Sequence, residues 1–292
     1  MANHIIIDSV ARSGTTLLSA LLRSQNGIIS FCPGFNELLS CEKIGEWPHD
    51  ICRQDFIKDC ELNFNKFQDT SFAQILDFAQ YYGLNESQWR SIIFESSSPS
   101  EIRKNLEHTF PETQGFCYRW NQALCYFNEW INNGPNYLWL TIIRNPLDRA
   151  YSSLEKHGWS LEDSLHNTIS FATKLQSVVD NKQFYLLYYE DLVQSPNQEM
   201  KNILDFINVE NKDINLRNIK GSNGKDFIPQ SSEMSGRLKK SDGYIQGKKF
   251  DGIYNKQVDR YKKYPDSDIA YNQFKSALVG FQQYERYFTN EF

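Results

Sequence analysis

The stretch "HIIIDSVARSGTTLLSALL" constrains this chain more than any other. The β-branched run Ile5–Ile7 reads as a short buried strand, and the apolar spacing of "GTTLLSALLRSQ" reads as a helix. A strand that turns through glycine into a helix presents unpaired N–H groups and the positive end of a dipole, which together bind anions. Gly14 lets the backbone close round a guest without a Cβ in the way. Thr15 and Thr16 add hydroxyl donors, and Arg12 adds a permanent charge that can hold two oxygens at once. Loops that grip nucleoside triphosphates carry a lysine directly after the last glycine, whereas Thr15 stands there in this chain. The competing account of the same residues is a plain helix start capped by Ser13.

Two more segments repeat the pattern of strand, polar turn and helix. "YLWLTII" is a buried strand that ends at Arg144; Asn145-Pro146 then supplies a cap and a favoured first helical residue for "LDRAYSSLEKH". "QFYLLYYEDL" is a third strand, turning at Glu190-Asp191 into the helix "PNQEMKNILDFI". Strands alternating with helices predict an α/β fold with a parallel sheet. The polar turns at 9–16, 144–152 and 189–191 are then expected on one rim, beyond the carboxyl ends of the strands, where such sheets bind ligands.

Elsewhere the expectations are coarser. Residues 42–115 read as irregular and mostly helical, with Ser100 capping a helix and Glu101 in its first turn. "NQALCYFNEWINN" has one apolar helical face and stops near Gly134-Pro135. The glycine-, serine- and lysine-rich 221–249 reads as loops, and a last helix is expected from about Asp266 to Tyr287. A length of 292 residues without repeats or low-complexity linkers suits one domain. The net charge of −5 argues against a nucleic-acid partner. No apolar run is long enough for a membrane span and the N-terminus lacks a signal-peptide pattern, so a cytoplasmic protein is expected. The six cysteines include no C-x-x-C, and reduced, mostly buried thiols are expected. No metal-binding motif stands out.

"RSGTT", "TIIRNPLDRAYSS" and "LYYEDLV", in this order over residues 5–195, resemble the sulfotransferases that use 3′-phosphoadenosine 5′-phosphosulfate (PAPS). The resemblance implies the P-loop-like sulfotransferase architecture: three layers, with a parallel sheet flanked by helices. It implies that Arg12, Ser13, Gly14, Thr15 and Thr16 grip the 5′-phosphosulfate. It gives the 3′-phosphate to Arg144 and Ser152, and an adenine contact to Tyr189. The bland alternatives are an Arg144–Asp148 ion pair with a buried Ser152, and a core Tyr189. Arg149 is expected to pair with a surface acid; Glu190 and Asp191 are expected to brace the turn. A late basic loop closes the site in this family, which points to Ser235, Arg237 and Lys239 in "SSEMSGRLKK", with "KGSNGK" at 220–225 as a competitor. This chain has Leu238 where the family often has tryptophan, and a solvated charge run is the alternative.

The resemblance further implies in-line sulfuryl transfer to an acceptor hydroxyl or amine, with a general base and no metal. Glu37, after the first helix, matches the base glutamate of tyrosyl-protein sulfotransferases, although their intervening stretch is shorter; His49 is the runner-up. Arg119 stands where those enzymes carry a lysine that contacts the transferring group, and a structural ion pair is its alternative. Arg12 is placed to offset charge on the leaving side. His108, His157 and His166 are expected to be structural or exposed. The acceptor region is expected at about residues 36–115, whose rings and surplus of acids suit a small molecule such as a secondary metabolite, or else simply pack a helical subdomain. The competing functions are a P-loop nucleotide kinase or NTPase, which the missing lysine disfavours, and an inactive binding module.

Overall fold

A computed structural model describes residues 2–31, 82–85, 99–119, 137–210 and 258–289, with isolated residues at 87–88, 91–92, 95–96, 124, 127, 214, 216 and 219. Among the described residues five strands form one parallel sheet: β1 (Asn3–Asp8), β2 (Ile28–Phe31), β3 (Gly115–Arg119), β4 (Tyr137–Ile143) and β5 (Phe184–Tyr188), in the order β2-β3-β1-β4-β5. Helices of eight or more residues are α1 (Thr15–Arg23), α2 (Pro99–Thr109), α3 (Pro146–His157), α4 (Leu161–Gln176), α6 (Pro196–Phe206) and α7 (Ser267–Leu278). Shorter ones are α5 (Tyr189–Gln194), α8 (Gln282–Glu285) and a 3₁₀ turn at Arg260–Lys263.

Side chains alternate across a strand, so a sheet covered on both sides must be apolar at odd and even positions alike. Tyr137, Trp139 and Ile143 pack with residues of α2, α3, α4 and α7, whereas Leu140 and Ile142 pack with α1, α5 and α6. Ile5 and Ile7 share the second core and Ile6 belongs to the first. The expected three layers follow from this arrangement. After β1 the chain passes to β2 and β3 on one side; it then crosses to β4 and β5 on the other. The carboxyl ends of β1 and β4 therefore flank the point where the winding reverses, the position at which parallel sheets open a crevice.

Several expectations need correction. β2 and β3 read as no strand in sequence, yet both pair in parallel over four or five residues. Their side chains lie in a sheet covered on both faces, so they show no alternation of polar and apolar residues. The third strand stops at Tyr188, and Tyr189 begins a separate short helix. Helix α2 starts at Pro99, which puts Ser100 inside its first turn instead of at its cap. Helix α4, opened by a capping box between Ser160 and Asp163, was not anticipated. The final helix is two helices, separated at Gly280, whose φ of 88° ends the first of them. Residues 32–81 and 220–257 and most of 121–133 lie outside the described residues, and with them the helix expected at 121–133 and the loops expected at 221–249. Cys117 is buried as a free thiol, and the other cysteines fall outside them. Among the described residues no helix is long and apolar enough to cross a membrane.

At the strand-start edge a polar cluster fastens α2 to the sheet. Only a ring N–H can donate to a carboxylate, so His4 Nε2 donates to Glu107 at 3.1 Å. His4 Nδ1 then accepts from the Tyr118 hydroxyl at 2.8 Å. Burial first, and Arg103 nearby, push the imidazole down to about 4 against the help of Glu107, so it is neutral.

Candidate active site

The first turn leaves β1 and doubles back into α1. Arg12 has a φ of 75°, a left-handed conformation that costs a side-chain-bearing residue about 1–3 kcal/mol and collects at functional sites. Gly14, also left-handed, is the N-cap of α1; having no side chain, it leaves the first helical turn without a capping group of its own. Ser13 is buried and does not occupy the cap position, so the plain capped-helix account does not hold. A Cβ on Gly14 would lie 2.5 Å from Tyr189 Cδ2 and 3.3 Å from Ile142 Cδ1. The turn is thus pressed against the ends of β4 and β5.

The second turn begins where β4 ends. Asn145 caps α3, its side chain accepting from Leu147 N at 3.0 Å and Asp148 N at 3.4 Å, with Pro146 as first helical residue, as the sequence predicts. Arg144 is buried, its guanidinium 4.7 Å from the centre of the Tyr189 ring. Its Nη1 is 3.5 Å from the Arg12 carbonyl oxygen, and its Nη2 is 4.0 Å from Asp148 Oδ2. Ser152, two turns along α3, is buried and accepts from Arg12 Nε at 3.1 Å. The structure therefore brings Arg12, Gly14, Arg144, Ser152 and Tyr189 together in the crevice between β1 and β4. It also contains features of both bland alternatives, a long Arg144–Asp148 pair and a buried tyrosine, and neither removes Arg144 from the crevice.

Arg119 ends β3, on the other flank of β1. Its Nη1 donates to Thr16 Oγ1, so a third cation stands beside the start of α1. Thr15 is buried and Thr16 half-buried in the first turn of that helix. Arg12, Arg144 and Arg119 thus border the turn on three sides, and charge of one sign accumulates. Burial lowers the Arg12 guanidinium from its usual value, and the positive charges of Arg144 and Arg260 add to the effect. A cluster of desolvated cations is stabilised by an anion that bonds to several of them.

Sequence reasoning missed Lys156. It lies four residues after Ser152, on the same face of α3, a spacing that could have found it. Its Nζ is buried without a hydrogen-bond partner. Burial, then the charge on Arg12, push the amine down to about 8. Arg149, expected to meet a surface acid, is instead buried and donates from Nη2 to the Ser164 carbonyl and Thr168 Oγ1. It joins α3 to α4, and burial pushes it down to about 10. Glu190, expected to brace its own turn, reaches across to the turn after β4, where Oε1 accepts from Asn145 N at 2.9 Å, and α5 starts without a side-chain cap. The 3₁₀ turn at Arg260–Lys263 is fastened to α3, with Glu155 accepting from Arg260, Lys263 and Tyr264, and Asp148 Oδ1 from Tyr261 N at 2.8 Å. His108, His157 and His166 are exposed.

Glu37, His49, Ser235, Arg237, Lys239 and the 220–225 segment lie outside the described residues. A cavity of about 460 Å³ lined by Asn85, Ser91, Asn105, His108 and Thr109 among others sits at the last turn of α2. Glu107 in that turn bonds His4 at the start of β1, so this cavity belongs to the opposite edge of the sheet from the crevice. Among the described residues no three metal-binding side chains gather.

Solved sulfotransferase structures have the same fold. The sulfotransferase domain from the curacin biosynthetic pathway matches with a TM-score of 0.61 at 15% identity, over 94% of this chain and 97% of that one. The sulfotransferase domain of the Synechococcus PCC 7002 olefin synthase matches with a TM-score of 0.52 at 16% identity, over 94% of each chain. No curated protein matches in sequence. A family model described as the sulfotransferase family matches residues 4–213, a span that holds all three motifs and the crevice they build. The chain belongs to the sulfotransferase family.

Proposed function

We propose that the protein transfers a sulfuryl group from PAPS to a hydroxyl or amine of a small-molecule acceptor. The observation that carries this reading is the contact between the two motifs: Arg12 of the first turn bonds Ser152 of the second helix, while Arg144 covers the tyrosine that Gly14 touches. Two anion sites at the ends of neighbouring strands suit a nucleotide with phosphates at both its 5′ and 3′ positions. The residues fit such a guest: a helix start with no side-chain cap, a buried amine lacking a partner, and three arginines.

Backbone N–H groups of α1, with Thr15 and Thr16, would hold the 5′-phosphosulfate, and Arg144, Ser152 and Lys156 the 3′-phosphate. Arg12 would reach both, its main chain in the turn and its guanidinium against Ser152. Tyr189 would lie near the adenine. PAPS supplies an activated sulfuryl group whose leaving group is a phosphate. The protein's own task is alignment and charge: in-line placement of the acceptor can contribute about 7–11 kcal/mol. Arg119 and Arg12 would offset charge on the equatorial and leaving oxygens. Glu37 would take the acceptor proton, with His49 as the alternative base. Ser235, Arg237 and Lys239 would close over the donor. Residues of about 36–115 would receive the acceptor; a secondary metabolite fits their rings and acids, and the curacin and olefin-synthase relatives carry names from biosynthesis. A single domain, a cytoplasmic site of action and a metal-free reaction belong to the same proposal.

The test is PAPS consumption across a panel of hydroxyl and amine acceptors, beside binding of the product nucleotide, 3′-phosphoadenosine 5′-phosphate (PAP). PAP binding with turnover of one acceptor class is expected. Failure of PAP to bind would overturn the proposal. Glu37→Ala should abolish transfer and keep PAP binding; unchanged transfer would remove Glu37 as the base.

A further inference from the structure

We propose that Arg286 and Tyr287, near the C-terminus, are positioning residues for the anion crevice and act through Asp191 and Glu190. The inference rests on the reading of that crevice as the site of a 3′-phosphorylated nucleotide. Both residues lie beyond the span matched by the family model, which ends at residue 213.

Glu190 is 7% exposed, and each of its carboxylate oxygens has a different partner. Oε1 takes the N–H of Asn145, the residue directly after Arg144, at 2.9 Å. Oε2 takes the Tyr287 hydroxyl at 2.7 Å. Glu190 also follows Tyr189, whose ring lies under the Arg144 guanidinium and against Gly14. One carboxylate therefore joins the peptide that aims Arg144, the residue that supports it and the C-terminal segment. Asp191 fixes that segment a second time, receiving Arg286 Nη1 at 2.7 Å and Nη2 at 2.8 Å in a two-pronged pair. The same guanidinium stacks 4.2 Å from the centre of the Tyr188 ring, the last residue of β5. A buried carboxylate that loses one of two donors turns towards other partners or water. Loss of the Tyr287 hydroxyl would thus slacken the hold on Asn145 and the aim of Arg144.

Simple fastening of the C-terminus to the sheet would use the same contacts, and nucleotide choice separates the two roles. Arg144 faces the 3′-phosphate end, so slackening it weakens PAP but not adenosine 5′-phosphate, which has no 3′-phosphate. The full chain is titrated calorimetrically with both nucleotides as wild type, Tyr287→Phe and Glu190→Gln. Unfolding curves establish that each variant is folded. In both variants the PAP preference over adenosine 5′-phosphate should fall by about 2- to 30-fold, the span through which coupled contacts act. The double variant should fall no further than Glu190→Gln alone, since Tyr287 works through that carboxylate. Unchanged preference in both folded variants overturns the positioning role and leaves the proposed function intact. A wild type with no preference for PAP overturns that function and this inference together.

Discussion

Gly14→Ala separates the crevice from an ordinary turn. Gly14 has a φ of 109°, and the new methyl carbon would sit 2.5 Å from Tyr189 Cδ2. The left-handed backbone alone costs an alanine about 1–2 kcal/mol. Pushing a buried ring aside adds about 1–3 kcal/mol. Gly158, the C-cap of α3, gives a lower bound on the first cost: its φ is 70°, nearer than Gly14's to the left-handed region other residues adopt, and a Cβ there meets nothing within 4 Å. Urea unfolding of both variants should therefore show Gly14→Ala destabilised by about 1–3 kcal/mol more than Gly158→Ala. The displaced ring also supports Arg144, so PAP affinity should drop in Gly14→Ala and hold in Gly158→Ala. Equal destabilisation with equal PAP affinity would refute the packing of the turn against Tyr189.

Other outcomes follow from buried charge. His4 falls from 6.5 to about 4 on folding, so between those values the unfolded chain binds the extra proton. Stability should be complete above pH 6.5 and fall by about 3 kcal/mol as pH drops through 4; unfolding curves across this range should flatten in His4→Gln. Lys156, lowered to about 8, binds a phosphate only when protonated. Calorimetry should show PAP affinity declining as pH rises past 8 in the wild type, and no such decline in Lys156→Met. Arg149→Met should leave PAP affinity unchanged, because its guanidinium faces Ser164 and Thr168 of α4; a large loss would place it in the crevice instead.

The two turns that meet in the crevice were more legible in the sequence than the fold around them. Residues 12–16 and 144–152 stand out because a buried strand, a special turn residue and a helix start follow each other within a few positions. The bounds of β4, Tyr137–Ile143, were readable for the same reason: an apolar run ends abruptly at Arg144 and Asn145. β2 and β3 were hidden because four or five residues covered on both faces carry no period of their own. Tyr189 read as strand because an aromatic run crosses the strand–helix boundary without a break. Arg149 misled because a charged residue on a helix usually faces water, whereas α4 covers this one. Lys156 was passed over because its meaning comes from Arg12, distant in sequence and adjacent in space. Glu190 was readable as a turn residue, but its partners Asn145 and Tyr287 were not, since only the fold brings the turn after β4 and the C-terminal segment beside it.

The central claim is that the two turns hold opposite ends of one nucleotide. Titration of PAP into the wild type, Thr16→Val and Arg144→Ala tests it most directly, with ATP and Mg²⁺ as the comparison ligand. The account predicts one PAP per chain, weakened by either substitution, and no comparable binding of ATP. Binding of ATP in preference to PAP, or a PAP affinity indifferent to one of the two substitutions, would contradict it.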